Sequence, residues 1–94
     1  MLKYNTVTIA EKLNIGNEEL ERRGLKSFLE RELLNIKTEF LLLSFKYGLD
    51  SVKKFEELVK KGEIRETSDT REDFFRFDYL ENRTKTIEQV LKNF

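Results

Sequence analysis

Apolar side chains recur at alternating steps of four and three residues across the middle of the chain. This spacing places them on one stripe of a helix. The stripe consists of Leu29, Leu33, Ile36, Phe40, Leu43 and Tyr47, and Phe28, Leu34, Leu41, Leu42 and Phe45 widen it. Asn17 can act as an N-cap, and Gly48 can adopt the left-handed conformation that ends a helix. The pattern predicts one long helix over residues 17–47.

Two shorter apolar stripes follow the long helix. The first predicts a helix over residues 51–61, capped by Asp50 or Ser51 and ended by Gly62. The second predicts a C-terminal helix over residues 70–93, with Ser68, Asp69 or Thr70 as its cap. Its stripe consists of Phe74, Phe77, Leu80, Thr84, Ile87, Leu91 and Phe94.

The N-terminal segment alternates between apolar and polar β-branched residues over residues 3–9. Val7 and Ile9 fall on one side, and Thr6 and Thr8 on the other, which predicts a short strand within an arm of residues 1–16. The expected fold class is therefore mainly α, a three-helix domain with one long central helix and a short N-terminal strand. Residues 1–94 form a single domain in this interpretation.

The length of the central helix bears on association. Thirty-one residues span about 46 Å, whereas a compact domain of this size measures roughly 30–35 Å across. Its most apolar part, residues 40–45, lies at one end and must be covered by later helices or by another chain. We expect a homodimer through Leu33, Ile36, Phe40 and Leu43, with Gly24 as a point where the helix can bend or restart.

Composition excludes several classes of chemistry. The chain has no Cys and no His, so disulfides, thiolate catalysis, Ser-His triads and His-ligated metals are ruled out. Eighteen basic and 18 acidic residues give a net charge of zero, which argues against a nucleic-acid coat. We expect a protein that is not an enzyme and binds no cofactor or metal.

Hydropathy and residue usage suggest where the protein works. No apolar run reaches the 18 or so residues of a membrane span, and the N-terminus lacks the apolar region of a signal peptide. We expect a cytoplasmic protein with no membrane partner. Abundant Lys and Glu, together with the absence of Cys, are typical of a thermophile.

Aromatic and acidic residues are concentrated in residues 72–81, EDFFRFDYLE. The aromatic residues cannot all lie on one helical face, so some can reach a partner while others pack inside. Aromatic anchors provide buried area and carboxylates steer a basic partner towards them. The candidate partner-binding residues are Asp73, Phe74, Phe75, Phe77, Asp78 and Tyr79.

A recognisable order of residues runs through the central and C-terminal half of the chain. Its elements are Lys46-Tyr47-Gly48, Ser51, Phe55, Gly62-Glu63-Ile64, Asp73-Phe74-Phe75-x-Phe77 and Leu80. Over residues 28–82 the chain resembles short archaeal and bacterial proteins regarded as the antitoxin half of type II toxin–antitoxin pairs. Those proteins commonly carry Trp at the position of Phe77. The resemblance implies an antitoxin-like, non-enzymatic protein that occludes a small toxin-like partner.

The N-terminal half supports a second hypothesis, a small dimeric DNA-binding repressor. Paired strands from two chains would enter the major groove. The candidate nucleic-acid contacts are Thr6 and Thr8 on the strand and the basic cluster Arg22, Arg23 and Lys26. Glutamates at helical spacing from these basic residues favour an ordinary solvated face instead.

Overall fold

Helices account for most of residues 5–94, the part of the chain that the computed structural model describes. In chain order they are α1 (Thr6–Leu13), α2 (Asn17–Tyr47), α3 (Val52–Lys60) and α4 (Ser68–Leu91). The expectation of a mainly helical fold with one long central helix is confirmed. The described residues contain one more helix than predicted and no strand.

The predicted N-terminal strand is wrong over the residues that can be compared. Residues 6–9 form the first turns of α1, and residues 3 and 4 lie outside the described part of the chain. Asn5 caps the helix, because its Oδ1 accepts a hydrogen bond from the Thr8 N–H at 2.9 Å. Ala10 is buried where α1 packs on α2. Strand propensity is weak, and here the cap and the packing outweigh it.

The long helix has the predicted bounds. Gly16 is its N-cap and makes no side-chain cap hydrogen bond, so the predicted cap at Asn17 is wrong by one residue. The helix continues through Gly24 without interruption. Gly48 ends it at φ +66°, and its N–H donates to the Ser44 carbonyl.

Side-chain caps also fix the starts of the two later helices. Ser51 caps α3 by accepting a hydrogen bond from the Lys54 N–H at 3.2 Å. Thr67 caps α4 in a reciprocal capping box with Thr70, one residue before the predicted range of caps. These caps satisfy backbone donors that would otherwise lack a partner at each helix start.

The apolar stripe of α2 packs against α4, which lies antiparallel beside it. Ile36, Leu80 and Ile87 form one buried cluster, and Leu49, Phe55 and Phe77 form the other. All members of the predicted stripe take part in these clusters, either directly or as partly buried neighbours. The ring centroids of Phe40 and Phe77 lie 4.4 Å apart between the two helices.

This packing changes the expected role of four residues. Leu33, Ile36, Phe40 and Leu43 were predicted to form an oligomer interface, but they pack inside their own chain against α4 and α3. The side of α2 that remains uncovered is the opposite one, where Leu34, Leu41, Leu42 and Phe45 are exposed.

The helices form an elongated molecule. Its extents are 60 × 29 × 16 Å and its radius of gyration is 19.3 Å, against about 12 Å for a compact domain of this length. Since the thinnest extent is 16 Å, α2 and α4 form a single layer over much of their length. The side of α2 that carries Leu34, Leu41, Leu42 and Phe45 faces solvent.

Candidate functional site

The residues that carry the antitoxin resemblance meet where α2, α3 and α4 join. The Asp73 carboxylate on α4 accepts a hydrogen bond from the Tyr47 hydroxyl and an ion pair from Lys46 Nζ at 2.6 Å. On the far side of the junction, the Val52 N–H at the start of α3 donates to the Glu81 carboxylate at 3.1 Å. Polar contacts therefore connect all three helices at this end.

The ionisation of these groups follows from the contacts. Burial raises the pKa of Asp73, but the hydrogen bonds from Lys46 and Tyr47 outweigh it and hold that pKa below its ordinary value. Burial, followed by the hydrogen bond to the Asp73 carboxylate, raises the pKa of Tyr47. The same carboxylate raises the pKa of Lys46. All three groups favour the state in which Asp73 is charged and Tyr47 is neutral.

Beneath these polar contacts lies an aromatic cluster centred on Phe55, which is fully buried. Its ring centroid lies 4.7 Å from that of Tyr47, 5.5 Å from Phe74 and 6.2 Å from Phe77. Phe77 is fully buried as well. The residues behind the resemblance therefore build the helix junction, and most of them are not exposed to a partner.

Three of the six predicted partner-binding residues face inward or are already bonded. Phe77 lies in the core, Phe74 is half-buried against Phe55, and Asp73 is held by Lys46 and Tyr47. The other three remain accessible. Phe75 is 68% exposed, Tyr79 one turn further along is 49% exposed, and Asp78 lies between them on the surface.

A groove of about 290 Å³ opens beside Phe75, between α3 and the first turns of α4. Its floor is apolar and consists of Phe55, Val59 and Phe74. Charged side chains line its rim, among them Glu66 and Arg71. An apolar floor with a charged rim is suited to an inserted apolar side chain of a protein partner.

The groove lining itself holds two acidic and two basic side chains, but the segment that borders it, residues 63–78, carries an excess of exposed acidic residues. Five carboxylates between residues 63 and 78 are exposed and form no ion pair within the described part of the chain, namely those of Glu63, Glu66, Asp69, Glu72 and Asp78. Of the three arginines in the same stretch, Arg76 is bound to Glu39. The exposed charge is therefore predominantly negative, as the sequence predicted.

An ion pair with Glu39 holds Arg76 over the ring of Tyr79. Arg76 binds the Glu39 carboxylate through both Nε and Nη2, the latter at 2.7 Å, and the hydrogen bond from Arg76 lowers the pKa of Glu39. The Arg76 guanidinium lies 5.1 Å from the centroid of the Tyr79 ring. Tyr79 is thus supported by a residue that is itself held by α2.

The candidate nucleic-acid residues lie near the other end of the molecule. Thr6 and Thr8 are half-buried on α1, so no paired-strand element contains them. In the basic cluster on α2, Arg23 pairs with Glu19 at 2.8 Å and Lys26 with Glu30 at 4.0 Å. Arg22 is exposed on the same helix.

Among residues 5–94, no group of three or more carboxylates is arranged to hold a metal ion. Within the same range, no helix combines the length and the apolar character needed to cross a membrane.

One exposed surface, on the side of α2 opposite Ile36, was not predicted from the sequence. Leu34, Thr38, Leu41 and Phe45 follow steps of four, three and four on the side of α2 opposite Ile36. Leu34, Leu41 and Phe45 were predicted to belong to a single widened stripe, and Thr38 was not assigned to it. The separate spacing of this second set is the signal that could have distinguished it.

Comparison with known proteins identifies the family of this chain. No curated protein and no solved structure shows a significant match. One family model matches the whole length, residues 1–94. The chain therefore belongs to the uncharacterized protein MJ0235 family.

Proposed function

We propose that the protein is a non-enzymatic binding module, antitoxin-like in its action, that occludes a small partner protein with the outward face of α4. The observation that supports this most directly is the exposure of two aromatic side chains one turn apart. Phe75 and Tyr79 point away from the core, while Phe74 and Phe77 on the same helix pack inside. Large exposed aromatics are typical of binding hot spots.

The groove and the charges indicate the chemistry of the partner. A side chain from the partner enters the apolar groove beside Phe75, and basic groups of the partner approach the exposed carboxylates of residues 63–78. The partner is therefore a small protein with a basic surface. Acidic residues compete there with the nucleic-acid backbone that such a surface would otherwise bind.

The experiment begins with the reading frame adjacent to the gene. If that frame encodes a small basic protein that arrests growth when expressed alone, co-expression of this chain restores growth. Purified together, the two proteins form a complex in titration calorimetry. An adjacent product that is harmless, or that does not bind this chain, contradicts the antitoxin-like role.

A double variant tests the assigned surface. Phe75→Ala with Tyr79→Ala removes both exposed rings, and we expect affinity to fall by a factor of at least about 30, which corresponds to about 2 kcal/mol. Leu13→Ala with Phe28→Ala is the matched control, since both residues are exposed apolar positions on other helices, α1 and α2. Unchanged affinity in the Phe75/Tyr79 variant, with its circular dichroism intact, would exclude this face as the binding site.

A further inference from the structure

The side of α2 that faces away from α4 carries a second apolar surface. We call it the outer stripe and define it as Leu34, Thr38, Leu41, Leu42 and Phe45. Its four apolar members are 52% to 74% exposed, with Phe45 the most exposed large hydrophobic residue described. The Thr38 hydroxyl donates to the Leu34 carbonyl at 2.8 Å, so the polar member of the stripe needs no hydrogen-bond partner from outside.

We propose that the outer stripe pairs with the outer stripe of a second copy of this chain, antiparallel about a two-fold axis. The shape of the molecule supports a copy of itself as the occupant. Domains normally consist of at least two packed layers of secondary structure, whereas α2 and α4 form one layer in a molecule 16 Å thick. A second copy placed on α2 supplies the missing layer for both chains at once.

The spacing of the stripe is self-complementary. Steps of four, three and four residues are those of a coiled-coil seam and read the same in both directions along the helix. A two-fold axis midway between residues 39 and 40 places Leu34 opposite the partner's Phe45. The same axis places Thr38 opposite the partner's Leu41. Such a pairing is isologous, and two-fold dimers require this kind of interface.

Charge favours the antiparallel direction. Arg31 continues the stripe one step towards the N-terminus. In the antiparallel pair it lies beside the partner's Gly48, where the carbonyls at the end of α2 attract a positive charge. In a parallel pair, each Arg31 would meet the other Arg31 and repel it. The residues that flank the stripe add only one charge, Lys37, which Glu88 of its own chain neutralises at 3.1 Å.

The interface is small. The stripe spans residues 34–45, about 17 Å of helix, so we expect the contact to bury less than the roughly 1,200 Å² at which specific, stable interfaces begin. The dimer is therefore expected to dissociate on dilution. A concentration series is needed to observe both species.

Sedimentation equilibrium tests the pairing on the full chain. We expect the wild-type protein to approach twice its 11.3 kDa mass as concentration rises. Leu41→Glu with Phe45→Glu places four carboxylates in the interface and should keep the chain monomeric at every concentration. A wild-type protein that stays monomeric throughout, or a Glu variant that associates as the wild type does, overturns the proposal.

A matched control separates this interface from general loss of surface hydrophobicity. Leu13→Glu with Phe28→Glu changes the same residue types at 63% and 59% exposure, outside the outer stripe. We expect this variant to dimerise like the wild type. Loss of the dimer in the control as well would contradict the assignment to the outer stripe.

Cross-linking tests the orientation without charged substitutions. The chain has no natural cysteine. When a Leu34→Cys chain is mixed with a Phe45→Cys chain and oxidised, we expect a disulfide between them. Leu34→Cys alone should not cross-link, because the two copies of residue 34 lie about 16 Å apart along the antiparallel pair and a disulfide needs Cα atoms within about 7 Å. Cross-linking of Leu34→Cys with itself, and none in the mixture, overturns the antiparallel arrangement.

Discussion

The hydroxyl of Tyr47, in the last turn of α2, donates a hydrogen bond to the carboxylate of Asp73, in the second turn of α4. Lys46 binds the same carboxylate, so Asp73 connects two successive residues of α2 to α4. This contact closes the helix junction above the aromatic cluster around Phe55. The residues that carry the resemblance to antitoxins therefore hold the three helices together. Because they fix the position of α4, they also orient its exposed side.

The Tyr47 hydroxyl should contribute measurably to stability. Tyr47→Phe keeps the ring against Phe55 and removes only the hydrogen bond to Asp73, so we expect a loss of about 1 kcal/mol in the free energy of unfolding. Tyr79→Phe is the control, because the Tyr79 hydroxyl forms no hydrogen bond within the described residues. Urea denaturation measures both variants, and equal midpoints for the two would contradict the assigned role.

The same contact makes stability depend on pH. The pKa of Asp73 is lower in the folded state than in the unfolded chain, so the contribution is complete above the ordinary Asp pKa, about 3.9. It is lost as pH falls through the folded-state value. The pKa of Tyr47 is raised, so its contribution is present below about pH 10 and is lost as pH rises through its folded-state value.

Asp73→Asn tests this dependence. At neutral pH we expect the variant to be less stable than the wild type, and we expect the difference to shrink as pH falls below the ordinary Asp value of about 3.9. Urea midpoints measured at several pH values give both quantities. A difference that stays constant from neutral to acidic pH would show that the charge on Asp73 does not provide the stabilisation.

Two phenylalanines on α4 provide a test of the core. Phe77 is fully buried and Phe75, two residues earlier, is 68% exposed. Phe77→Ala should cost about 3–5 kcal/mol through lost burial and a cavity, a large share of a total that is typically 5–15 kcal/mol for a domain. Phe75→Ala should change stability by no more than about 0.5 kcal/mol. Thermal unfolding followed by circular dichroism compares them, and similar losses in both would contradict the orientation of α4.

The elements that the sequence predicted well have strong local signals. The bounds of α2 follow from a long periodic stripe and a glycine in the left-handed conformation at Gly48. The cap at Ser51 was also among the alternatives predicted. The strand predicted over residues 3–9 is wrong over residues 6–9, because a short β-branched run has only a weak preference, which the Asn5 cap and the packing of α1 on α2 reverse.

The site was less predictable from the sequence. The spacing of apolar residues shows which side chains share a helix face, but it does not show which of them another helix will cover. Ile36 and Leu41 both belong to the widened stripe of α2, yet Ile36 is 6% exposed and Leu41 is 52% exposed. The difference depends on where α4 lies, which is a tertiary relationship. The bonding of Asp73 to Tyr47 likewise joins residues 26 positions apart and has no local signal.

Two glycines of α2 should respond in opposite directions to the same substitution. Gly48 has φ +66°, so Gly48→Ala forces a side chain into the left-handed region at a cost of about 1–2 kcal/mol. Gly24 lies inside the helix with no other atom within 4 Å of the position that a Cβ would occupy. Gly24→Ala should therefore stabilise the protein by about 0.5–1 kcal/mol. Urea midpoints of the two variants measure both effects, and a destabilised Gly24→Ala protein would show that α2 is not continuous at that residue or that another surface packs closely there.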